Sequence, residues 1–271
     1  MSQLLYGCAP ASHSRAANGG LVGTKVGQDV PQSAVRSVDA AVDDLELLAG
    51  TLLFEGLSTT ELEVLRPAIR SRSFARDAYV FREGDPGSHL YVVVRGRVKI
   101  ARFSVGGGEV VFALVGPGEM FGELSLFAPD GERTADAQAL EPARCLAVNR
   151  DAVVSLLLGH PDVLFKMISW LTAYIRRKDA AIAEAAFLDI PARVGLKLVE
   201  LAQSKGNRVS GGVLIDVPLS QRTLAGMVGA SRENVNRALN RFVALGFIRK
   251  SRGRITVLQP DQLRRRGLAR M

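Results

Sequence analysis

Cysteine and histidine are both scarce in this chain of 271 residues. Two cysteines, Cys8 and Cys145, are too few for a disulfide framework or for an iron–sulfur cluster, which usually draws on four thiolates. The three histidines, His13, His89 and His160, have no second His or Cys at ligand spacing, so metal, haem and catalytic-triad chemistry have no support. With no nucleophile and base in a recognisable constellation, an enzyme is not expected. No apolar run approaches the roughly 18 to 20 residues that a membrane span needs, the longest candidates being short pieces such as Leu90 to Val94. A soluble protein without a membrane partner is expected. Leu4, Leu5, Gly7 and Cys8 lack both a preceding basic residue and an apolar stretch of useful length, which argues against a lipid-modified signal and for a cytoplasmic location.

What is present is ordinary globular material, 47% hydrophobic and 23% charged, in a length that suits about two domains. The net charge of +8 is unevenly placed: from Ile190 onward there are 16 Lys and Arg against 4 Asp and Glu, a net +12, which leaves residues 1 to 189 at −4. A basic carboxy-terminal part beside a mildly acidic remainder is the electrostatic footprint of a partner made of phosphates, namely nucleic acid.

Residues 1–45, rich in Ser, Ala, Gly, Val and Gln without sustained periodicity, read as a disordered extension. Ser58 stands three residues before Glu61 in capping-box spacing and predicts a short helix with Leu62, Leu65 and Ile69 as its stripe, ended or kinked at Pro67. From Phe74 to about Val148 the runs Tyr79–Arg82, Leu90–Ala101, Glu109–Val115 and Arg144–Val148, punctuated by glycine-rich turns, predict an all-β barrel or jelly roll spanning 46–158. Gly106 to Gly108 reads as a hairpin loop, and Gly116, Gly118 and Gly122 lack dinucleotide-fold spacing. Over 159–188 the period is helical, with Leu164, Met167, Leu171, Ile175, Lys178, Ile182 and Ala185 along one face, a seam that suits a parallel homodimer. Residues 189–271 read as helix, short strands, a helix Gln221–Val228 capped by Ser220, a turn at Gly229, a helix from Ser231 to about Leu245, and a basic hairpin across Gly246–Leu258, which is a winged helix-turn-helix. The whole is an α+β chain.

Two segments carry chemistry. Phe121, Gly122, Glu123, Leu124, Ser125, Leu126 and Phe127, followed by Glu132, Arg133, Thr134 and Ala135, resemble the cyclic-AMP receptor and fumarate–nitrate regulator superfamily of bacterial transcription factors. The likeness runs from about Leu53 to about Leu258. In that family the turn after Gly122 is a phosphate cassette for a cyclic nucleotide, an effector expected here to be cAMP or cGMP. Backbone N–H groups opened by a glycine receive an anion, Arg133 supplies a charge-assisted fork, Thr134 donates its hydroxyl, and Glu123 accepts from a ribose 2′-OH. Where cyclic-AMP-binding relatives commonly place Thr followed by Ser or Asn against the purine, this chain has Lys178 and Asp179. That pair addresses a guanine edge as readily as an adenine edge.

The second segment, Ser231 to Arg237, resembles the family's recognition helix. Arg232 and Arg237 suit guanine O6 and N7, and Glu233 suits cytosine N4. Arg232, Glu233, Asn236 and Arg237 share one side, while Val235, Ala238 and Leu239 point inward. Ser220 and Gln221 join them as expected DNA contacts. The resemblance implies palindromic double-stranded DNA with TGTGA-like half-sites and RNA polymerase as partners. The alternatives are a family member that needs no ligand and a nucleotide-sensing module acting on a protein partner.

Overall fold

A computed structural model describes residues 44–251 and 253–268. The extension expected over 1–45 lies almost wholly outside the described residues, which open on a short helix, α1 (Asp44–Ala49). Next comes α2 (Thr59–Leu65), where Ser58 and Glu61 form the expected capping box. Such a cap is worth about 1 kcal/mol. Pro67 then sits in a one-turn 3-10 helix, Arg66–Ala68, and the chain extends. Ile69 therefore opens strand β1 (Ile69–Phe74) instead of closing the helix stripe, a correction that follows from the missing N–H of proline.

Seven more strands build the barrel: β2 (Tyr79–Phe81), β3 (His89–Arg95), β4 (Val98–Phe103), β5 (Glu109–Val115), β6 (Met120–Phe121), β7 (Asp136–Ala139) and β8 (Ala143–Asn149), with a helical turn α3 (Leu124–Phe127) after β6. They form two four-stranded antiparallel sheets, ordered β1-β8-β3-β6 and β2-β7-β4-β5. The run expected as one strand over Leu90–Ala101 is two, β3 and β4, folded apart at Arg95–Gly96. Side chains alternate across the first sheet, as period two demands. Tyr91, Val93, Cys145 and Ala147 face the second sheet, joined by Val98, Ala137 and Ala139. Leu90, Val92, Leu146 and Val148 face outward onto Leu45, Leu48, Leu62, Val153, Leu156 and Met167. Each such large side chain, once fully buried, contributes about 1.5–3 kcal/mol. Cys145 is buried, and its burial pushes the thiol pKa up to about 12.

Two helices follow, α4 (Arg150–Gly159) and α5 (Pro161–Phe187), bent by 112° at His160. His160 Nε2 sits 3.4 Å from Glu61 Oε1, tying the bend to α2. Among the described residues no single helix is long and apolar enough to cross a membrane. The seam of α5 differs from the expected one by a single place. Met167 and Val163 turn into the barrel's outer core, and Leu164, Ile168, Ile175 and Ile182 stay exposed. Met167 is thus a core residue of its own chain, and Ile168 takes its place on the free stripe.

The carboxy-terminal part comprises α6 (Ile190–Lys205), β9 (Gly206–Val209), β10 (Gly212–Ile215), α7 (Gln221–Val228), α8 (Arg232–Ala244), β11 (Ile248–Ser251), β12 (Arg254–Val257) and α9 (Pro260–Leu268). Its sheet runs β11-β12-β10-β9. Both expected caps are present: Ser220 Oγ accepts from Thr223 N and Ser231 Oγ from Asn234 N. Helix α9, whose Leu263 is fully buried against α6, was not expected from sequence.

Candidate functional site

The first candidate site is the turn from β6 into α3. Gly122 has φ +82°, a left-handed conformation that favours glycine, and a Cβ there would lie 2.6 Å from Arg133 Nη1. Arg133 is 4% exposed. Its Nη1 donates to Gly122 O and to Ser125 Oγ, both at 2.8 Å, and its Nη2 donates to His89 O at 2.8 Å. The guanidinium carbon lies 4.1 Å above the Phe81 ring and 5.6 Å from that of Tyr91. Its Nε is buried with no partner. The terminal nitrogens are therefore spent on the turn itself and not on Glu123.

Glu123 is buried. Burial raises its pKa, opposed by its own backbone N–H and by Arg133. Leu124 and Thr134 remain exposed. Of the expected ligand residues, Gly122, Glu123, Leu124 and Arg133 are thus gathered at one turn, with Thr134 next to Arg133 in sequence. Lys178 and Asp179 lie elsewhere, on α5. Lys178 Nζ donates to Phe112 O of β5 at 3.3 Å and lies 5.2 Å and 4.9 Å from the Phe112 and Tyr174 ring centres. Burial draws its pKa down, and Lys197 and Arg177 add to the effect. Asp179 is exposed. Tyr174 stacks on Trp170 at 5.6 Å, and burial, then the charge of Glu123, raises its pKa.

Sequence reasoning missed three participants at the turn. The His89 carbonyl and the Ser125 hydroxyl anchor Arg133, and Gly87 allows the Ser125 side chain to approach where a Cβ would lie 2.2 Å from its Oγ. The spacing of Gly87, some 40 residues from any family motif partner, carries no signal by itself.

The second candidate site is the helix-turn-helix. Val235, Ala238, Leu239 and Phe242 of α8 are buried, while Arg232, Glu233 and Arg237 are exposed and Asn236 is half-buried, the division the sequence predicts. Gln221 Nε2 donates to Asn236 Oδ1 at 2.9 Å, so the residues expected to meet DNA from α7 and α8 are already joined. Arg237 donates to Asn234 one turn earlier. Glu233 has its pKa lowered by its backbone N–H, by the Ser231 hydroxyl and by Arg232 and Arg237. Arg249, Lys250 and Arg254 of the wing are exposed.

The helix-turn-helix packs on the barrel. Ala101, Val111 and Leu114 share a core with Leu224, Ala225 and Val228. Gly226 brings α7 so close to β5 that a Cβ would lie 2.8 Å from Val111 Cγ2 and 3.0 Å from Glu109 O. Glu109, its side chain 4% exposed, pairs with the equally buried Lys99 and, at 3.3 Å, with Arg222 of α7. Lys205 pairs with Glu119, and Arg97 with Asp216 at 3.5 Å. A cleft of about 750 Å³ opens beside this contact, with Tyr79, Lys99, Ser220, Gln221 and Arg254 among its walls.

Comparison with known proteins agrees with both sites. The family described as "Cyclic nucleotide-binding domain" matches residues 71–160, and "Crp-like helix-turn-helix domain" matches residues 192–266. A CRP-like cAMP-activated global transcriptional regulator of Mycobacterium tuberculosis is 35% identical over 221 residues, 82% of this chain and 98% of that protein. The cyclic AMP receptor protein of Thermus thermophilus is 32% identical over 210 residues, 78% of this chain and 94% of the other. The solved structure of FixK2 from Bradyrhizobium japonicum shares the fold, with a TM-score of 0.64 at 20% identity, covering 72% of this chain and 95% of that one. A β-sandwich with a cyclic-nucleotide-type cassette, a long helix and a winged helix-turn-helix define a transcription regulator. The chain belongs to the CRP-like group of the Crp/Fnr family. The family consists of transcription regulators and not of enzymes, and among the described residues no group of three or more His, Cys, Asp or Glu is placed to hold a metal ion.

Proposed function

We propose that the protein is a cytoplasmic, homodimeric transcription regulator whose affinity for DNA is set by a cyclic nucleotide. The carrying observation is the cassette: a buried guanidinium on a glycine turn with an unpartnered Nε, beside a buried carboxylate, in a fold whose relatives are named for cyclic AMP. The residues fit such an effector. Gly122 and Leu124 offer backbone N–H groups, Arg133 and Thr134 serve the phosphate, and Glu123 the ribose 2′-OH. Lys178 and Asp179 reach the base, in which case the Lys178 ammonium leaves the Phe112 carbonyl when the effector enters. cAMP and cGMP are the candidates.

At the other end, Arg232, Glu233, Asn236 and Arg237 read base edges while Ser220, Gln221 and Ser231 hold the backbone, in a palindromic site matched to the two-fold symmetry of the dimer. The exposed stripe Leu164, Ile168, Ile175 and Ile182 supplies the dimer seam. The functional segments are the barrel (46–158), the dimerisation helix (159–188) and the winged domain (189–271), and RNA polymerase is the partner once DNA is bound. Calorimetric titration with cAMP and with cGMP, followed by gel shift on a palindromic TGTGA duplex with and without the nucleotide that binds, tests this. Heat from one nucleotide and tighter DNA binding in its presence are expected. No heat from either, or equal DNA affinity with and without it, overturns the effector reading.

A further inference from the structure

A groove of about 490 Å³ runs between the first turn of α6 and the exposed flank of α8, and its charged walls are Asp189, Arg193, Arg237 and Arg241. Three guanidiniums thus meet one carboxylate, and that carboxylate already serves the helix, its Oδ1 accepting from Ala192 N at 2.9 Å. Arg193 is fixed by donation from Nη1 to Val228 O at 2.7 Å, with its Nε buried and unpartnered. Arg237 is engaged with Asn234. Arg241 is exposed, and its side chain makes no hydrogen bond or ion pair with any described residue. A free guanidinium in a net-positive groove, one helical turn along the same face from an expected base-reading arginine, is an unfilled anion contact.

We propose that Arg241 is a DNA backbone contact, taking a phosphodiester of the strand that passes along the α6–α8 groove, while Arg237 reads a base. This rests on the reading of α8 as the recognition helix. In such a helix the N-terminal residues meet base edges, and Arg241, ten residues into α8, stands past them at the wall of the major groove, where phosphates line the edge. The guanidinium fork matches two phosphate oxygens. Asp189 sits at the same groove and limits how deeply the strand enters, so Arg241, at its open side, carries the contact.

The test uses the full-length protein with its effector, and a duplex that it selects from a random-sequence pool. Affinity is measured from low to moderate salt for the wild type, Arg241→Gln and Arg241→Lys, on the selected duplex and on copies with single base changes. Loss of one phosphate contact lowers the slope of log affinity against log salt by about 0.9. That reduction is expected for Arg241→Gln, with base preference unchanged and the slope restored by Arg241→Lys. An unchanged slope overturns the proposal and makes Arg241 a solvated or protein-facing charge. A reduced slope with collapsed base preference overturns it too, since Arg241 would then be a base reader. If the wild type selects no duplex at all, the recognition-helix reading fails, and this proposal with it, before any variant is compared.

Discussion

Arg133 Nη1 lies 2.8 Å from the carbonyl oxygen of Gly122, so the residue expected to hold an anion is also a strut of the turn that would receive it. Replacing Arg133 with Leu leaves the carbonyls of Gly122 and His89 and the hydroxyl of Ser125 without their donor. An abandoned buried polar group costs about 1–3 kcal/mol. Arg133→Leu is therefore expected to abolish nucleotide binding and to lower the stability of the fold by that order. Calorimetry and urea unfolding check the two effects separately; full stability in the variant would mean that the strut role is wrong.

Glu123 gives the opposite combination. Its folded-state pKa is raised by burial above the ordinary 4.5, so the stability it contributes is present below that pH and is lost as pH rises toward the folded-state value. Glu123→Gln should match the wild type at low pH and melt higher than it near neutrality, while losing affinity for a nucleotide with a 2′-OH. Melting temperature followed across pH 4 to 8 decides the first point. A variant that melts no higher at pH 7 would show that the carboxylate is not held at a cost.

The pairs around Glu109 separate a buried from an exposed interaction. Breaking a buried pair leaves an uncompensated charge and costs about 3–5 kcal/mol, whereas exposed pairs contribute about 0–1 kcal/mol. Glu109→Ala, which strands Lys99, should lower the urea midpoint steeply. Arg222→Ala, whose side chain is 65% exposed, should shift it little. Similar shifts in both would contradict the assignment.

Arg232→Ala should cost about 1–3 kcal/mol on the cognate duplex, the worth of one bidentate guanine contact, and much less on random DNA. Competition gel shifts read both. Equal weakening on the two duplexes would make Arg232 a phosphate contact and not a reader.

Ile175→Asp combined with Ile182→Asp should convert a dimer into a folded monomer, since neither side chain packs within its own chain. Sedimentation velocity gives the mass, and a persisting dimer would move the seam off this stripe.

Local features were legible in the sequence because their causes are local. The caps at Ser58, Ser220 and Ser231, the helix Gln221–Val228 and the strand Glu109–Val115 follow from signals within a few residues. Strand β1 escaped notice because only its two ends, Ile69 and Phe74, are even partly buried, and the polar stretch between them carries no alternation. Strand β7 escaped because its inward residues are the alanines Ala137 and Ala139, too small to announce a core. At the cassette the residue types were legible from their resemblance to a family. Their wiring was not, since His89 and Gly122 reach Arg133 from 44 and 11 residues away. The docking of α7 on β5 was illegible for the same reason: Glu109 and Arg222 are an unremarkable acid and base until the fold brings them together.

The chain contains a single tryptophan, Trp170, and it stacks on Tyr174 of the same long helix, which Lys178 covers further along. The ultraviolet emission of the unlabelled protein thus comes from one known place, midway between barrel and seam. Any rearrangement of α5 as an effector binds will be written in the colour and intensity of that one fluorophore, so the transmitting helix can be timed by stopped flow without attaching a dye.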